Sequence, residues 1–364
     1  MWRRLPVVAF VFAVALPACS SAERDVTDAP SPSSSPQSRA SPVDVHTTLG
    51  LDLFIEGRIV EVTDGDEMVL ADWPGRAAPY IAPSRARRGY VGLAYGPRGV
   101  ALWFVTARGD ERLARPVAQG FGLSAGGRRI SFGLADLSRI DAPSRLMILG
   151  GPGFGRVHSV LRMDTFGAGA GWFVGQRVFV GWGDGGHVVL AMWDPRSGEI
   201  MRIPRFTHAG PTDPATGRVV MYYGDGGCWT VGRWLGRRPS LLPLTRVQRC
   251  SRAMTLSPSA TLLAGVTGAV DGGLSGSERT RVLVLDAADT RPLFRGDPIP
   301  GAYQVGWEDE SHLLVLARQE DGDVLVHRCN AATEHCASIW AIDADDERYE
   351  VWLVREPPPS RSDR

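Results

Sequence analysis

The sequence contains no lysine and a single asparagine, Asn330, among its 364 residues. All 40 basic residues are therefore arginines, and 40 acidic residues balance them to a formal net charge of +0. Without an excess of positive charge, the chain has no overall field that would attract nucleic acid or anionic lipid. The composition thus argues against a nucleic-acid-binding protein, and the skew towards arginine indicates a GC-rich bacterial genome.

A short apolar segment near the N-terminus has the features of an export signal. Arg3 and Arg4 precede an apolar run from Leu5 to Ala15, which is too short to span about 30 Å of hydrocarbon. A basic start, a short apolar run and small residues before a cleavage point are typical of a secretory signal peptide. An ordinary signal peptide that happens to contain a cysteine is the alternative to the lipidated form described next.

The residues Leu16-Pro17-Ala18-Cys19 resemble the lipobox of bacterial lipoprotein precursors. The resemblance implies cleavage after residue 18 and diacylglycerol on the Cys19 sulfur. We therefore expect a signal peptide over residues 1–18 and a membrane anchor at Cys19. The protein would then lie at the extracytoplasmic face of the cell membrane, on the periplasmic side if an outer membrane exists.

The segments that flank the central region have the composition of disordered chain. Residues 19–48 contain mainly Ser, Pro, Ala and Asp, and residues 356–364 contain three consecutive prolines. Such segments bury too little apolar surface to offset the entropy lost on ordering. We expect a flexible stalk, a folded domain over residues 49–355 and a disordered tail.

The region 49–355 lacks long segments with apolar residues at helical spacing. Instead, runs of four to eight apolar and aromatic residues are broken by Gly, Asp and Pro, which predicts an all-β domain. One pattern, a strand, a polar turn and a more apolar strand, recurs in five segments: 93–104, 121–132, 171–180, 254–265 and 306–315. A second pattern places an acidic or amide residue at a turn after an apolar strand: Asp72, Asp194, Asp286 and Asn330.

A third turn lies between these two patterns, and its aspartates recur at a regular spacing. They are Asp184, Asp225, Asp271 and Asp321, which are 41, 46 and 50 residues apart. Three turns that join four strands, repeated at this period, predict the four-stranded antiparallel blades of a single β-propeller. Residues 255–295 resemble the bacterial WD40-like and TolB-like propeller repeats, which implies the same fold.

The repeats predict seven blades, with six as the alternative because the second is one strand short. A strand within Tyr349–Val354 is expected to return to the first blade and close the ring, which removes unpaired edges. The predicted blades cover 51–81, 90–118, 119–166, 170–206, 211–247, 252–296 and 302–342.

Four cysteines remain after Cys19, and an exported protein can pair them. Of the three possible pairings, the repeat frame favours Cys228 with Cys250 and Cys329 with Cys336. A zinc site is the alternative for the second pair, because His327 and His335 lie beside it. Two acidic turns, Asp64-Gly-Asp66 and Asp321-Gly-Asp323, lack the six or more oxygen ligands that calcium needs, so we predict no metal and no cofactor.

Two short motifs match catalytic or nucleotide-binding patterns but lie in the wrong context. Residues 122–126 match the G-x-S-x-G pattern with Ser124 at its centre, and residues 181–186 match G-x-G-x-x-G. Both patterns need a following helix, and here the sequence predicts a strand instead. We therefore predict hairpin turns at both places and assign no catalytic residue.

Candidate ligand-binding residues form two groups. Trp182, Tyr222 and Tyr223 precede Asp-Gly-Gly turns, where exposed rings would stack on a ligand. Arg85, Arg87 and Arg88 form a basic cluster suited to a phosphate or sulfate of an envelope polymer. Solvent-exposed loops and interior packing are the alternatives.

The sequence favours a monomeric, non-enzymatic propeller that binds or scaffolds a protein or envelope component. An envelope hydrolase or lyase with its site in the central channel is the alternative, because channel residues come from several blades and leave no local motif.

Overall fold

The computed structural model describes residues 48–74, 79–96, 99–135, 143–165, 167–184, 187–213, 216–223, 228–235, 240–243, 249–250, 252–267, 280–343 and 351–357. The predicted signal peptide, Cys19 and the predicted stalk up to residue 47 lie outside these residues, as do Asp225, Asp271 and residues 358–364. Within the described residues, no helix is long and apolar enough to cross a membrane.

The described residues form 29 strands and two single 3-10 turns, Ala125–Gly127 and Pro152–Phe154. In chain order the strands are β1 Leu53–Ile55, β2 Arg58–Thr63, β3 Asp66–Asp72, β4 Pro79–Ala86, β5 Gly89–Gly96, β6 Gly99–Thr106, β7 Gly109–Ala114, β8 Val117–Leu123, β9 Arg129–Leu134, β10 Ser144–Gly150, β11 Arg156–Met163, β12 Gly169–Val174, β13 Arg177–Asp184, β14 His187–Trp193, β15 Ile200–Arg202, β16 His208–Asp213, β17 Arg218–Tyr223, β18 Cys228–Leu235, β19 Ser240–Pro243, β20 Arg249–Cys250, β21 Arg252–Leu256, β22 Leu262–Thr267, β23 Arg281–Asp286, β24 Pro292–Pro298, β25 Ala302–Trp307, β26 His312–Arg318, β27 Val324–Asn330, β28 His335–Ile342 and β29 Trp352–Leu353.

These strands form seven antiparallel sheets, which confirms the seven-bladed propeller. Blade 1 is β29-β1-β2-β3, and blades 2, 3 and 4 are β4–β7, β8–β11 and β12–β15. Blades 5, 6 and 7 are β16–β19, β21–β24 and β25–β28, with the short β20 added to β18 in blade 5. The innermost strands contact one another in the order β29, β4, β8, β12, β16, β21, β25 and back to β29, so the ring is closed.

The core of the domain lies between the blades. Buried apolar residues of the described chain form seven clusters, and each cluster joins two neighbouring blades. Aromatic rings fill the largest volumes, including Phe54, Phe132, Phe173, Trp193 and Trp229, all less than 2% exposed. Because every blade buries both faces against its neighbours, its central strands are apolar throughout rather than alternating.

The C-terminal strand closes the ring as predicted. Leu353 lies opposite Leu53, and Trp352 lies opposite Phe54, so β29 becomes the innermost strand of blade 1. The first described residues are fixed to the same place, because Glu308 of blade 7 accepts a hydrogen bond from the Gly50 backbone at 2.7 Å.

The predicted frame of the second blade was wrong by one strand. The pattern at residues 93–104 is the hairpin between β5 and β6, the second and third strands, rather than the turn after the first strand. The strand missing from residues 90–118 is β4. The two prolines and the arginine of β4 are more typical of a loop than of a strand. Proline is tolerated here because β4 lies at the inner edge of its sheet.

Two predicted turns recur with the same hydrogen bonds. The Oγ of Ser124 accepts a bond from the Arg129 backbone at 3.0 Å, and the Oγ of Ser257 accepts one from the Leu262 backbone at 3.2 Å. Ser124 is 4% exposed and is followed by strand β9, so this side chain holds a turn. Oδ1 atoms likewise accept backbone bonds two residues on at the turns that begin with Asp194, Asp286 and Asn330.

The disulfide between Cys329 and Cys336 is present and joins β27 to β28, which confirms that pair over a zinc site. Cys228 lies opposite Cys250 in the backbone register of β18 and β20. The side chains of these two residues lie outside the described part of the structure, so their disulfide stays a prediction. Within the described residues, no group of three potential ligands is arranged to hold a metal ion.

Candidate functional site

A basic pocket lies on one face of the propeller, between blades 2 and 3. The face is the one on which the first strand of each blade turns into the second, and we call it the AB face. The pocket, of about 440 Å³, is named here the rim pocket. It is lined by Arg87, Arg88, Phe104, Arg128, Arg129, Phe154, His158 and Gln176, with several glycines.

The four arginines come from equivalent turns of adjacent blades. Arg87 and Arg88 lie between β4 and β5, while Arg128 lies between β8 and β9 and Arg129 begins β9. The Arg87 backbone donates a hydrogen bond of 3.2 Å to the carbonyl of Gly127, which joins the two turns. Gly127 has φ +59, and a Cβ there would lie 2.9 Å from the backbone of residue 87. Glycine is therefore required for this close approach.

Two phenylalanines form the floor of the rim pocket. Phe104 and Phe154 are 7% and 3% exposed, and their rings meet edge to face with centroids 5.2 Å apart. Phe154 has φ 60, which is rare for a bulky residue. Backbone strain of this kind persists where surrounding packing holds it, and it is concentrated at binding sites.

The electrostatics of the rim pocket favour an anion. Among the described residues, no carboxylate pairs with any of its four arginines. Burial lowers the pKa of Arg129, and the positive charge of Arg196 lowers it further. The Arg129 guanidinium is held in place by a 2.7 Å bond to Gln176 and by the Phe173 ring, whose centroid is 5.3 Å away.

Arg85, the third arginine predicted for the cluster, does not line the rim pocket. Its guanidinium lies 3.3 Å from Glu356 and 3.7 Å from Asp52. Asp52 also accepts a 2.8 Å hydrogen bond from the Tyr90 hydroxyl. Burial is the main cause that raises the pKa of Tyr90 above its usual range, and the bond to Asp52 adds to it. Glu356, the first residue of the predicted tail, is thus part of a network at the inner wall of blades 1 and 2.

The predicted aromatic residues are separated by the fold. Trp182 is 6% exposed, and the Arg202 guanidinium lies 5.8 Å from its ring centroid. Tyr223 packs on Phe206 with ring centroids 4.5 Å apart. Tyr222 lines the central channel, and burial raises its pKa to about 12.

The central channel holds a larger cavity of about 710 Å³, lined by residues of several blades. Its buried or half-buried wall includes Trp172, Tyr222 and Trp307. An enzymatic site here would need a free acid and base. The carboxylates at this cavity each have a partner: Asp213 accepts hydrogen bonds from the backbone and hydroxyl of Thr216, Glu308 pairs with Arg328, and Glu356 pairs with Arg85.

Sequence reasoning missed Arg128, Arg129 and His158. A signal for the two arginines exists, because Arg87-Arg88 and Arg128-Arg129 are identical pairs that lie 41 residues apart. That distance equals the spacing of Asp184 and Asp225 in the predicted repeat. The signal was hidden by the wrong frame of the second blade, while no local pattern marks His158, which enters from the outer strand β11.

Comparison with known proteins gives structural neighbours only. No protein-family model matches the chain, and no curated protein sequence matches it. Its structure is similar to a periplasmic gluconolactonase, PpgL, from Pseudomonas aeruginosa, with 11% identity, a TM-score of 0.53, and coverage of 84% of this chain and 99% of that one. It is also similar to the computationally designed Ika8 protein, with 13% identity, a TM-score of 0.50, and coverage of 85% and 97%.

TolB from Acinetobacter baumannii is a further neighbour, with 11% identity and a TM-score of 0.43. The alignment covers 77% of this chain, and the chain spans 66% of the length of TolB. At 11–13% identity, the likenesses to PpgL and Ika8 show a common fold alone. On its own topology and these two likenesses, this chain is a seven-bladed β-propeller.

Proposed function

We propose that this protein is a lipid-anchored, extracytoplasmic binding propeller without catalytic activity. Its ligand is a phosphate or sulfate group on an envelope polymer, and the rim pocket is the binding site. The observation that carries the proposal is a set of four arginines around an apolar floor, none of which has a carboxylate partner among the residues that the structure describes.

The chemistry of the rim pocket fits such a ligand. A guanidinium donates two parallel hydrogen bonds to a phosphate or sulfate, and these bonds are about twice as strong as neutral ones. The buried rings of Phe104 and Phe154 offer an apolar surface to the body that carries the anion. Because Arg87, Arg88 and Arg128 are exposed, their charges attract a polymer from solution before it docks.

Two features support export and anchoring. The lipobox resemblance at Cys19 predicts the tether, and the disulfide between Cys329 and Cys336 suits an oxidising compartment. A rigid ring on a flexible stalk of roughly thirty residues would present the rim pocket tens of ångströms from the bilayer.

The binding site is tested by calorimetric titration of a polyphosphate and of a sulfated glycan into the Cys19→Ser chain. The double variant Arg87→Gln/Arg88→Gln should bind at least tenfold more weakly, because it loses two charge-assisted contacts of about 1.5–3 kcal/mol each. The matched control is Arg291→Gln/Arg295→Gln, which removes two exposed arginines from blade 6 and should bind like the parent chain.

If both double variants lost the same amount of affinity, the effect would come from net charge alone, and the rim pocket would not be the binding site. A neutral dextran of similar length should not bind at all. The anchor is tested separately, because labelled palmitate should be incorporated into the cellular protein and not into the Cys19→Ala variant.

A further inference from the structure

Arg355 lies inside the central channel and has no acidic partner among the described residues. Its side chain is exposed to solvent and lines two adjoining cavities of the channel. Desolvation by the channel wall lowers its pKa, and the Tyr222 hydroxyl acts on it in the opposite direction.

The backbone at Arg355 is fixed, so the side chain is presented from a rigid position. The Arg355 N–H donates to the carbonyl of Pro83 at 2.8 Å, and the Arg85 N–H donates to the carbonyl of Arg355 at 2.7 Å. Ser84 and Arg355 form a parallel bridge, which ties the end of the chain to the innermost strand of blade 2. The segment after β29 is thus part of the channel wall.

Tyr222 belongs to blade 5, which lies across the channel from blades 1 and 2. Its phenol ring lies against β16, where a Cβ on Gly210 would come within 3.3 Å of the Tyr222 hydroxyl oxygen. With a pKa of about 12, this hydroxyl is neutral and can donate a hydrogen bond at physiological pH. The cavity therefore has a guanidinium from one wall and a hydroxyl donor from the other.

The remaining charges at the cavity do not neutralise Arg355. The carboxylates of Glu308 and Glu356 are already paired with Arg328 and Arg85, and that of Asp213 accepts hydrogen bonds from Thr216. The wall also contains the indole of Trp172, which is half-buried, and that of Trp307, whose N–H already donates to the Thr255 carbonyl at 3.3 Å. A volume of about 710 Å³ is within the range of small-molecule sites.

We infer that the channel is a second binding site, independent of the rim pocket, for a small organic oxyanion with an aromatic or apolar body. Arg355 and Tyr222 hold the oxyanion, and Trp172 packs against the body. No covalent step is involved.

The test is calorimetric titration of benzoate, phenyl phosphate and the neutral benzamide into the full chain that carries Cys19→Ser. At least one of the two anions should bind saturably, and benzamide should bind at least tenfold more weakly. The two anions distinguish a carboxylate site from a phosphate site.

Arg355→Gln should weaken anion binding at least tenfold, and Tyr222→Phe should weaken it several-fold. The exposed control Arg295→Gln should bind these small anions like the parent chain. The rim variant Arg87→Gln/Arg88→Gln, which weakens anion binding at the rim pocket alone, should keep the binding that Arg355→Gln removes, so either proposal can fail alone.

Tyr222→Phe removes one oxygen and keeps the ring, so it serves if Arg355→Gln does not fold. The inference is overturned if neither anion binds the parent chain at millimolar concentration. It is also overturned if Arg355→Gln binds the anion as the parent chain does, or if Tyr222→Phe does so where Arg355→Gln fails to fold. A loss of affinity in the rim variant as large as that in the channel variant would overturn it as well.

Discussion

The side-chain amide of Gln304 bonds the backbone of Leu353 in both directions. The Gln304 Nε2 donates to the Leu353 carbonyl at 3.1 Å, and the Leu353 N–H donates to Oε1 at 2.8 Å. Gln304 is on the innermost strand of blade 7, and Leu353 is on that of blade 1. The Gln304 side chain thus makes the same pair of hydrogen bonds that a neighbouring β-strand would make, but it joins two separate sheets.

Gln304→Ala should lower the free energy of unfolding by about 2 kcal/mol, because it leaves a buried N–H and a buried carbonyl without partners. Urea denaturation at neutral pH measures the change. Gln319→Ala, which truncates a glutamine outside this contact, should cost less than about 0.5 kcal/mol. Similar losses of stability in both variants would show that the hydrogen bonds between Gln304 and Leu353 do not contribute.

Replacing both Cys329 and Cys336 by alanine should destabilise the domain by about 2 kcal/mol, since the disulfide closes a short loop and restrains the unfolded chain only modestly. Reduction of the parent chain should lower its denaturation midpoint towards that of the double variant. Alkylation followed by intact-mass analysis should find no free thiol among the four cysteines after Cys19. Free thiols at Cys228 and Cys250 would contradict their predicted pairing.

The stability of the domain should fall as pH drops from 7.5 to 5.5, partly because of His327. Its Nε2 is enclosed without a hydrogen-bond partner among the described residues, and burial lowers the pKa of its ring. The folded state therefore keeps the imidazole ring neutral, while the unfolded state takes up a proton near pH 6.5. Proton uptake stabilises the unfolded state as the pH falls, so the free energy of unfolding decreases. Burial acts to raise the pKa of Asp309, but hydrogen bonds from Ser311 and His312 together outweigh it and hold this pKa well below its usual range, so the carboxyl stays ionised between pH 5.5 and 7.5.

His327→Gln should accordingly lose less stability than the parent chain between these pH values, measured by urea denaturation at each pH. His187→Gln, which replaces an exposed histidine, should keep the slope of the parent chain. A parent-like slope in His327→Gln would show that other groups cause the pH dependence.

Ser124→Ala and Ser257→Ala should each cost about 1 kcal/mol, because each loses one turn-closing hydrogen bond. The serines lie in blades 3 and 6, so the two losses should add in the double variant. If Ser124→Ala removed a measurable esterase activity from the parent chain while Ser257→Ala did not, our interpretation of Ser124 as a turn residue would be wrong.

The blade architecture was predictable because its signals are local. The turns at Asp194, Asp286 and Asn330 and those at Ser124 and Ser257 are closed by side chains within five residues of the groups that they bond. The closing strand was predictable because a propeller that ends in a free edge would be exposed to aggregation. The first strand of blade 2 was missed because Pro79 and Pro83 indicate a loop, and only its place at the inner edge permits them.

The binding sites were only partly predictable because they form between blades. Arg87 and Arg88 stood out as adjacent charges, whereas Arg129 and His158 reach the same pocket from strands that are distant in sequence. Arg355 was the last residue of the predicted domain and carried no pattern at all. Its place depends on two backbone bonds to blade 2, which the sequence does not encode in any short motif.

Ring closure by β29 also fixes the order of events when the chain is made. Roughly 300 residues separate Trp352 from its partner Phe54, so the entropic cost of joining them is that of a very long loop. A growing polypeptide therefore holds β1 with one unpaired edge until β29 has been synthesised. During that interval the edge of blade 1 can pair with a strand of a neighbouring molecule. A delay before β29 is made therefore increases the chance of domain-swapped or misassembled propellers.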